Sequence, residues 1–394
     1  MATAPPTIVI AGAGIGGLTA SLALAAKGFR VVVLEKAERL EEAGAGLQLS
    51  PNASRVLIGL GLKARLAACA IAPDAVSIMS GPRGTELSKL PLDAAQTDAP
   101  YWVIHRADLQ AALAAQVSDN PAIELRLGCP FETATQHPEG VLVRSGGGAS
   151  FRQDLAKALI GADGIWSSVR DQIAPDIKPA FSGLIAWRGT VDAANLARES
   201  VPRRVQLWMG SNAHLVIYPM SSGKQVNVVA ITSGQWREPG WSIPADASDV
   251  QAQFAAPHWC EAARALVSAV TQWRKWALFT LPEHDRWTSG STALLGDAAH
   301  AMLPFAAQGA GMAIEDAAVL ASCLAQNPDN VLDALRHYAN LRRPRVNRVV
   351  RTARQNGRIY HLGGPLAVAR DLAMQALGGR RLLARQDWIY NWRN

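Results

Sequence analysis

Residues Thr7 to Lys36 read TIVIAGAGIGGLTASLALAAKGFRVVVLEK, and the way this stretch divides decides the fold. Thr7 to Ala11 is short, apolar and β-branched, which predicts a buried parallel strand. It runs directly into Gly12-Ala13-Gly14-Ile15-Gly16-Gly17, the spacing G-x-G-x-x-G. An Ala/Leu-rich run then predicts a helix to about Lys27, and Gly28 ends it. Val31 to Leu34 predicts a second strand closing on Glu35 and Lys36. Gly12 permits the tight strand-to-helix turn, Gly14 lets a pyrophosphate approach the backbone, and Gly17 lets helix and strand pack closely. The free N–H groups and dipole at the helix start then hold the diphosphate. Glu35 stands near the ~20-residue offset at which an acid bonds a ribose hydroxyl. A relaxed second match, Gly59-Leu60-Gly61-Leu62-Lys63-Ala64, has no strand-to-helix switch around it and reads as a helix end and turn. The N-terminal copy is the dinucleotide site.

At 394 residues the chain can bury a large core, and two intimately packed lobes are expected. It is 49% hydrophobic and 18% charged, far from a disordered composition. The formal net charge is +7, and the basic residues are dense only in one stretch, which holds Arg336, Arg342, Arg343, Arg345, Arg348, Arg351, Arg354 and Arg358. Their spacing suits a solvated helical face, so no nucleic-acid partner is expected. Cys69, Cys129, Cys260 and Cys323 are scattered without a C-x-x-C pair, which argues against a metal site or a disulfide framework. The MATAPP start has neither a basic region nor an apolar core. No run approaches the ~18 apolar residues of a membrane span. A cytoplasmic monomer or homodimer with no integral membrane segment is the expectation.

Further along, Gly44-Ala45-Gly46-Leu47-Gln48-Leu49 forms a loop before a helix starting at Pro51-Asn52. Strands about 76–104 break the βα alternation and are expected to reach into the second lobe. An apolar strand at Ala158-Leu159-Ile160 delivers Gly161-Ala162-Asp163-Gly164. Residues 1–178 are therefore assigned to the dinucleotide domain. From 179 to 287 the chain is rich in Trp, Val and alternating patterns, which predicts a mostly antiparallel sheet. Residues 288–394 return to the first domain through Thr292-Ala293-Leu294-Leu295-Gly296-Asp297 and finish in helices.

Three stretches now stand in order: the G-x-G-x-x-G with Glu35, GADGIWSSVR at 161–170, and LLGDAAHAMLPFAAQGAGMAIEDA at 294–317. Together they resemble the single-component FAD-dependent aromatic hydroxylases (group A flavoprotein monooxygenases), in particular the salicylate, 3-hydroxybenzoate and 6-hydroxynicotinate hydroxylase branch. The resemblance extends to Gly44–Asn52, His105–Leu109, Ala186–Gly189 and the Arg342–Arg345 helix, nearly the whole chain. It implies an α/β fold: a Rossmann-like FAD-binding domain of the p-hydroxybenzoate hydroxylase kind, interleaved with a mostly antiparallel substrate sheet and a helical C-terminus.

The resemblance places FAD on Gly12, Gly14, Gly17, Glu35, Lys36, Gln48, Arg106, Asp163, Arg170, Gly296, Asp297, Gly309, Ala310 and Gly311. The residues agree with it in physical terms. Asp297 at a strand end can reach a ribityl hydroxyl, and a helix start after Gln308-Gly309-Ala310-Gly311 can stabilise the negative charge of a reduced flavin. A plain turn with a helix cap also explains Gly296-Asp297 or Asp163 with Ser167 taken singly, and a surface ion pair with Asp108 explains Arg106. No second G-x-G-x-x-G exists, which fits NADH or NADPH docking transiently.

For the reacting end, His214 and Tyr218 lie four apart in HLVIYP and share one face if this is a strand. Such a pair can take a proton from a substrate hydroxyl, and relatives of the branch carry it; a buried strand His bonded to backbone is the plainer reading. Pro304 is implied to lie near the reactive flavin edge, and His300 to stabilise its loop. Leu47, Trp187, Ile217, Met220 and Phe305 predict an apolar lining. No Arg is assigned to a substrate carboxylate, which leaves room for a neutral phenol or a heteroaromatic. The implied chemistry is NAD(P)H reduction of FAD, O₂ addition to give a C4a-hydroperoxide, and oxygen transfer to a small phenolic or hydroxy-heteroaromatic ring. Two alternatives stay open: a flavin hydroxylase of a larger apolar quinone-pathway or secondary-metabolite substrate, and a non-catalytic FAD-binding sensor.

Overall fold

The structure, a computed structural model, describes residues 5–40, 46–92, 98–147, 151–196, 203–238 and 240–394. Gly44-Ala45 of the second glycine loop lies outside the described residues. Thr7–Ala11 is a strand with parallel neighbours on both sides, Arg30–Leu34 and Ala158–Gly161. The six-stranded sheet runs in the order Thr288–Ser289, Thr292–Leu294, Ala158–Gly161, Thr7–Ala11, Arg30–Leu34, Ile123–Arg126. Only the two-residue strand at its edge is antiparallel. Ile8, Val9 and Ile10 are fully buried, because the central strand of a parallel sheet is covered on both faces. The helices Ile15–Ala25, Arg106–Ser118 and Gly309–Gln326 supply part of that cover, and a small antiparallel sheet of Phe131–His137, Gly140–Ser145 and Arg152–Ala156 packs against the parallel one.

The glycines at the first turn are set by contact. A Cβ on Gly12, whose φ is +102°, would lie 2.4 Å from the Ala162 carbonyl oxygen. A Cβ on Gly17 would lie 1.9 Å from the Gly12 carbonyl oxygen. Neither position tolerates a side chain.

The second sheet has eight strands in the order Ser242–Ala245, Trp273–Thr280, Ala180–Asp192, Gln225–Ser233, Ala213–Met220, Val205–Gly210, Ala75–Ser80, Glu86–Pro91. All its pairings are antiparallel except Val205–Gly210 with Ala75–Ser80. The strand Trp102–His105 does not join it; it pairs with Gly46–Leu49 in a two-stranded ribbon. Helices Ala247–Gln253 and Glu261–Ser268 bury Val250, Leu266 and Val267 with Trp187, Leu215, Ile217 and Trp273 in one apolar cluster. The chain closes with the helices Val331–Tyr360, Gly364–Ala384 and Asp387–Tyr390. Among the described residues no helix is long and apolar enough to cross a membrane.

Candidate active site

A cavity of about 310 Å³ lies where the glycine turns of the parallel sheet face the eight-stranded sheet. Gly14, Ile15, Gly16, Gly296, Asp297, Gly309 and Ala310 line one side. Arg188, His214, Val216, Tyr218, Val229 and Ile231 line the other. Leu47 and Gln48 from the ribbon, Arg106, Met302, Pro304 and Ala307 also line it.

The first side is built from helix starts. Gly14 caps the helix Ile15–Ala25 and Gln308 caps Gly309–Gln326, so two sets of unsatisfied N–H groups belong to residues of the cavity wall. A Cβ on Gly14 would meet nothing within 4 Å, so the backbone there is open to a ligand, unlike at Gly12 and Gly17 behind it. Glu35 accepts from Ala13 N at 2.8 Å through Oε2 and from Ala37 N at 2.9 Å through Oε1, bracing the glycine turn. Burial pulls the Arg106 guanidinium below its ordinary range, and the charge of Asp297 acts against that. These features suit a long diphosphate cofactor: an open glycine cradle, two helix N-termini and a carboxylate at a strand end.

The second side follows from sheet register. Antiparallel pairing sets Arg188 opposite Val229 and Val229 opposite Val216, a cross-strand row of three cavity residues. The rows on either side of it are Ala186, Ile231, His214 and Thr190, Asn227, Tyr218. Arg188 thus sits one step between the rows of His214 and Tyr218, on the same face. Its Nε is buried without a hydrogen-bond partner, and burial lowers its pKa against the opposing effect of Tyr218. Burial holds the His214 imidazole well below its ordinary value, with His361 adding to the effect. Burial pushes the Tyr218 phenol up, partly offset by Arg188. At neutral pH His214 is therefore a neutral acceptor and Tyr218 a hydrogen-bond donor.

The chain matches the family described as "FAD binding domain" over residues 6–353. A 3-amino-4-hydroxybenzoate 2-monooxygenase from Streptomyces cremeus is 36% identical over 97% of this chain and 94% of its own length. A 3-hydroxybenzoate 6-hydroxylase from Klebsiella oxytoca is 33% identical over 98% of this chain and 96% of its own. A solved salicylate hydroxylase in complex with its substrate superposes with a TM-score of 0.84 at 26% identity, covering 100% of this chain and 97% of that one. The chain belongs to the FAD-dependent aromatic-ring monooxygenases.

In this monooxygenase the sequence-assigned residues divide into those that face the cavity and those that act behind it. Gly14, Leu47, Gln48, Arg106, His214, Tyr218, Gly296, Asp297, Pro304, Gly309 and Ala310 face it. Gly12, Gly17 and Gly311 do not; a Cβ on Gly311 would lie 2.8 Å from Gln308 Oε1, so that glycine makes room for the side chain of Gln308. Lys36 is exposed and lies outside the wall. Asp163 accepts from Ser167 Oγ and, at 3.1 Å, from Val169 N, which braces the start of the helix Ser168–Ile173 that Ser167 caps. Arg170 is buried with its guanidinium on the carbonyls of Ile165, Ile177 and Ala298, a brace between segments.

On the substrate side the expected lining changes in four places. Trp187 faces the opposite side of its strand from Arg188 and donates from Nε1 to Thr232 Oγ1 at 2.9 Å within the outer core. Ile217 belongs to that same outer core. Met220 shares the parity of His214 and Tyr218 but packs with Tyr101 and Val103 beyond the cavity. Phe305 stands behind His214, with ring centroids 5.2 Å apart. Arg188, Val216, Val229, Ile231 and Met302 take their place in the wall. Arg188, which the sequence reading did not single out, places a guanidinium in this wall.

The turn of the monooxygenase that carries Gly296-Asp297 is tied down by buried ions. Asp316 accepts from Gly296 N at 3.1 Å, His300 Nε2 at 2.6 Å and Arg342 Nε at 2.7 Å. Glu315 takes Arg342 at 2.8 Å, Arg345 at 2.6 Å and Asn52 Nδ2 at 2.7 Å. Asn52 in turn donates to Gln308 Oε1, and Gln308 to Ser50 Oγ. This network fixes the start of the Gly309 helix. His300 holds the turn and stacks on Trp287 with centroids 5.2 Å apart. It also corrects the reading of the arginine-rich helix as wholly solvated: Arg336, Arg348, Arg351, Arg354 and Arg358 are exposed, whereas Arg342 is 1% exposed.

Proposed function

We propose that this monooxygenase hydroxylates a small phenolic carboxylic acid of the hydroxybenzoate class, with NADH or NADPH as electron donor and O₂ as oxygen source. One oxygen atom enters the ring and the other leaves as water. The observation that carries the reading is the row of Arg188, Val229 and Val216 between His214 and Tyr218, facing the cavity that Gly14, Asp297 and Gly309 also line. Bound FAD supplies the electron transfer and the activation of O₂.

The protein's own residues do the rest. Arg188, a cation with a buried unpaired Nε, takes the carboxylate in a charge-assisted pair. His214 accepts the phenol proton at Nε2, because its Nδ1 is already bonded to His361. Tyr218 donates to the phenolate that results, which makes the ring electron-rich at the moment it meets an electrophilic oxygen. Leu47, Val216, Val229, Ile231 and Met302 hold the ring and keep water out. Relatives named for 3-hydroxybenzoate and 3-amino-4-hydroxybenzoate, both phenolic carboxylates, support the class.

The test is NADH and NADPH oxidation by FAD-loaded protein across hydroxybenzoates, uncharged phenols and hydroxypyridines, with hydroxylated product and peroxide quantified. Stoichiometric product from a hydroxybenzoate is expected. Coupled turnover confined to uncharged phenols or to large apolar aromatics would overturn the carboxylate assignment.

A further inference from the structure

His214 Nδ1 and His361 Nε2 are 2.7 Å apart. His214 is 1% exposed and lines the cavity, whereas His361, just past the helix Val331–Tyr360, is partly exposed. Phe305 and Tyr360 enclose the His214 ring at 5.2 and 5.5 Å between centroids. The backbone of His361 is held at both ends, its N–H on the Gly357 carbonyl and its carbonyl accepting from Asn212 N, each at 3.2 Å. Two imidazoles therefore bridge the cavity and the surface through one short bond.

We propose that His214 and His361 form a two-imidazole wire that carries the substrate's phenolic proton out of the cavity to solvent. The proposal rests on the phenolic substrate argued above. The phenol O–H breaks as a bond forms to His214 Nε2. The Nδ1–H of His214 breaks as its proton passes to Nε2 of His361, and the Nδ1–H of His361 is released to water. One proton leaves, both rings end neutral, and nothing is oxidised or reduced. Protonation of the product phenolate runs the same hops in reverse and restores both tautomers.

The wire answers a physical difficulty. A neutral His214 can accept a proton, but burial makes a resting imidazolium there costly. The charged groups that share its cavity are Arg188 and Arg106, which oppose a further cation, and Asp297; Tyr218 and Tyr360 are phenols held protonated by burial. Passing the proton on in a concerted hop avoids storing the charge. His361 acts through His214 and does not line the cavity itself.

The experiment mixes oxidised FAD-loaded enzyme with 3-hydroxybenzoate, without O₂ or NAD(P)H, in weak buffer containing a pH-indicator dye. Flavin absorbance reports binding and the dye reports proton release. His361→Gln, which can still hydrogen-bond His214, should leave the affinity within twofold and slow proton release at least tenfold. In wild type, proton release in H₂O/D₂O mixtures should give a bowed inventory, the mark of more than one proton in flight, and this needs no variant that folds. Equal release rates in wild type and His361→Gln, or a linear inventory, would overturn the wire alone. No flavin perturbation by 3-hydroxybenzoate or other hydroxybenzoates in wild type would overturn the substrate reading, and the wire with it.

Discussion

Arg342 Nε donates to Oδ1 of Asp316 at 2.7 Å, with neither side chain more than 1% exposed. The pair is the far anchor of the Gly296-Asp297 turn, because the other oxygen of Asp316 holds Gly296 N. Arg342→Ala leaves Asp316 and Glu315 short of a buried counter-charge, which costs about 3–5 kcal/mol in such settings. Urea unfolding should show that loss; a change below about 1 kcal/mol would mean that the anions find other partners.

Gly14 and Gly17 separate cofactor binding from folding. A Cβ at Gly14 meets no protein atom within 4 Å, so Gly14→Ala should melt with wild type when free of cofactor. Its FAD affinity should fall at least tenfold, about 1.4 kcal/mol, by isothermal titration. Gly17→Ala drives a methyl to 1.9 Å from the Gly12 carbonyl oxygen and should lower the melting temperature without any cofactor present. Full FAD affinity in Gly14→Ala would contradict the open-cradle reading.

Tyr218→Phe should keep FAD bound and slow hydroxylation by roughly 10–100-fold, the loss of one hydrogen bond to a charged oxygen. Undiminished coupled turnover would remove Tyr218 from the reaction.

Arg188→Gln should raise KM for hydroxybenzoates by a similar factor, roughly 10–100-fold, while leaving any activity on uncharged phenols nearly unchanged. A uniform loss across both classes would mean that Arg188 shapes the cavity and does not read the carboxylate.

Burial lowers the pKa of His361 from 6.5 to about 4 and that of His214 in the same direction. Well above 6.5 both rings are neutral in the folded and unfolded chain, so they add no pH dependence there. As pH falls from 6.5 towards 4, the unfolded chain takes up protons that the folded one refuses, and stability drops. Melting temperature should therefore decline across that window, and less steeply in His361→Gln. A flat profile between pH 7 and 4.5 would refute it.

The parallel sheet and its glycine turn were legible because strand, spacing and acid fall within thirty residues. His214 and Tyr218 were legible from two-residue alternation. Arg188 was not, because its strand is covered on both faces by core and cavity, so Ala186-Trp187-Arg188 shows no polar-apolar alternation to fix the parity. The burial of Arg342 did have a signal: it lies in one helical stripe with Leu335, Tyr338, Val346, Val349 and Ala353, all buried. Its partners Glu315 and Asp316 are on another helix, which charge spacing along one helix cannot reveal. His361 had no signal at all, since its role depends on a contact 147 residues away.

The strand order of the parallel sheet also governs how the chain is made. On the ribosome, Thr7–Ala11 gains its neighbour Arg30–Leu34 early, waits for Ala158–Gly161, and the sheet takes its next strand only with Thr292–Leu294. Until then Ala158–Gly161 presents an unpaired hydrophobic edge, the surface most prone to pairing with another nascent chain. Such long-range pairing is slow to form. Translation pauses before residue 292 would therefore prolong the aggregation-prone interval, and chaperone occupancy should fall once that strand emerges.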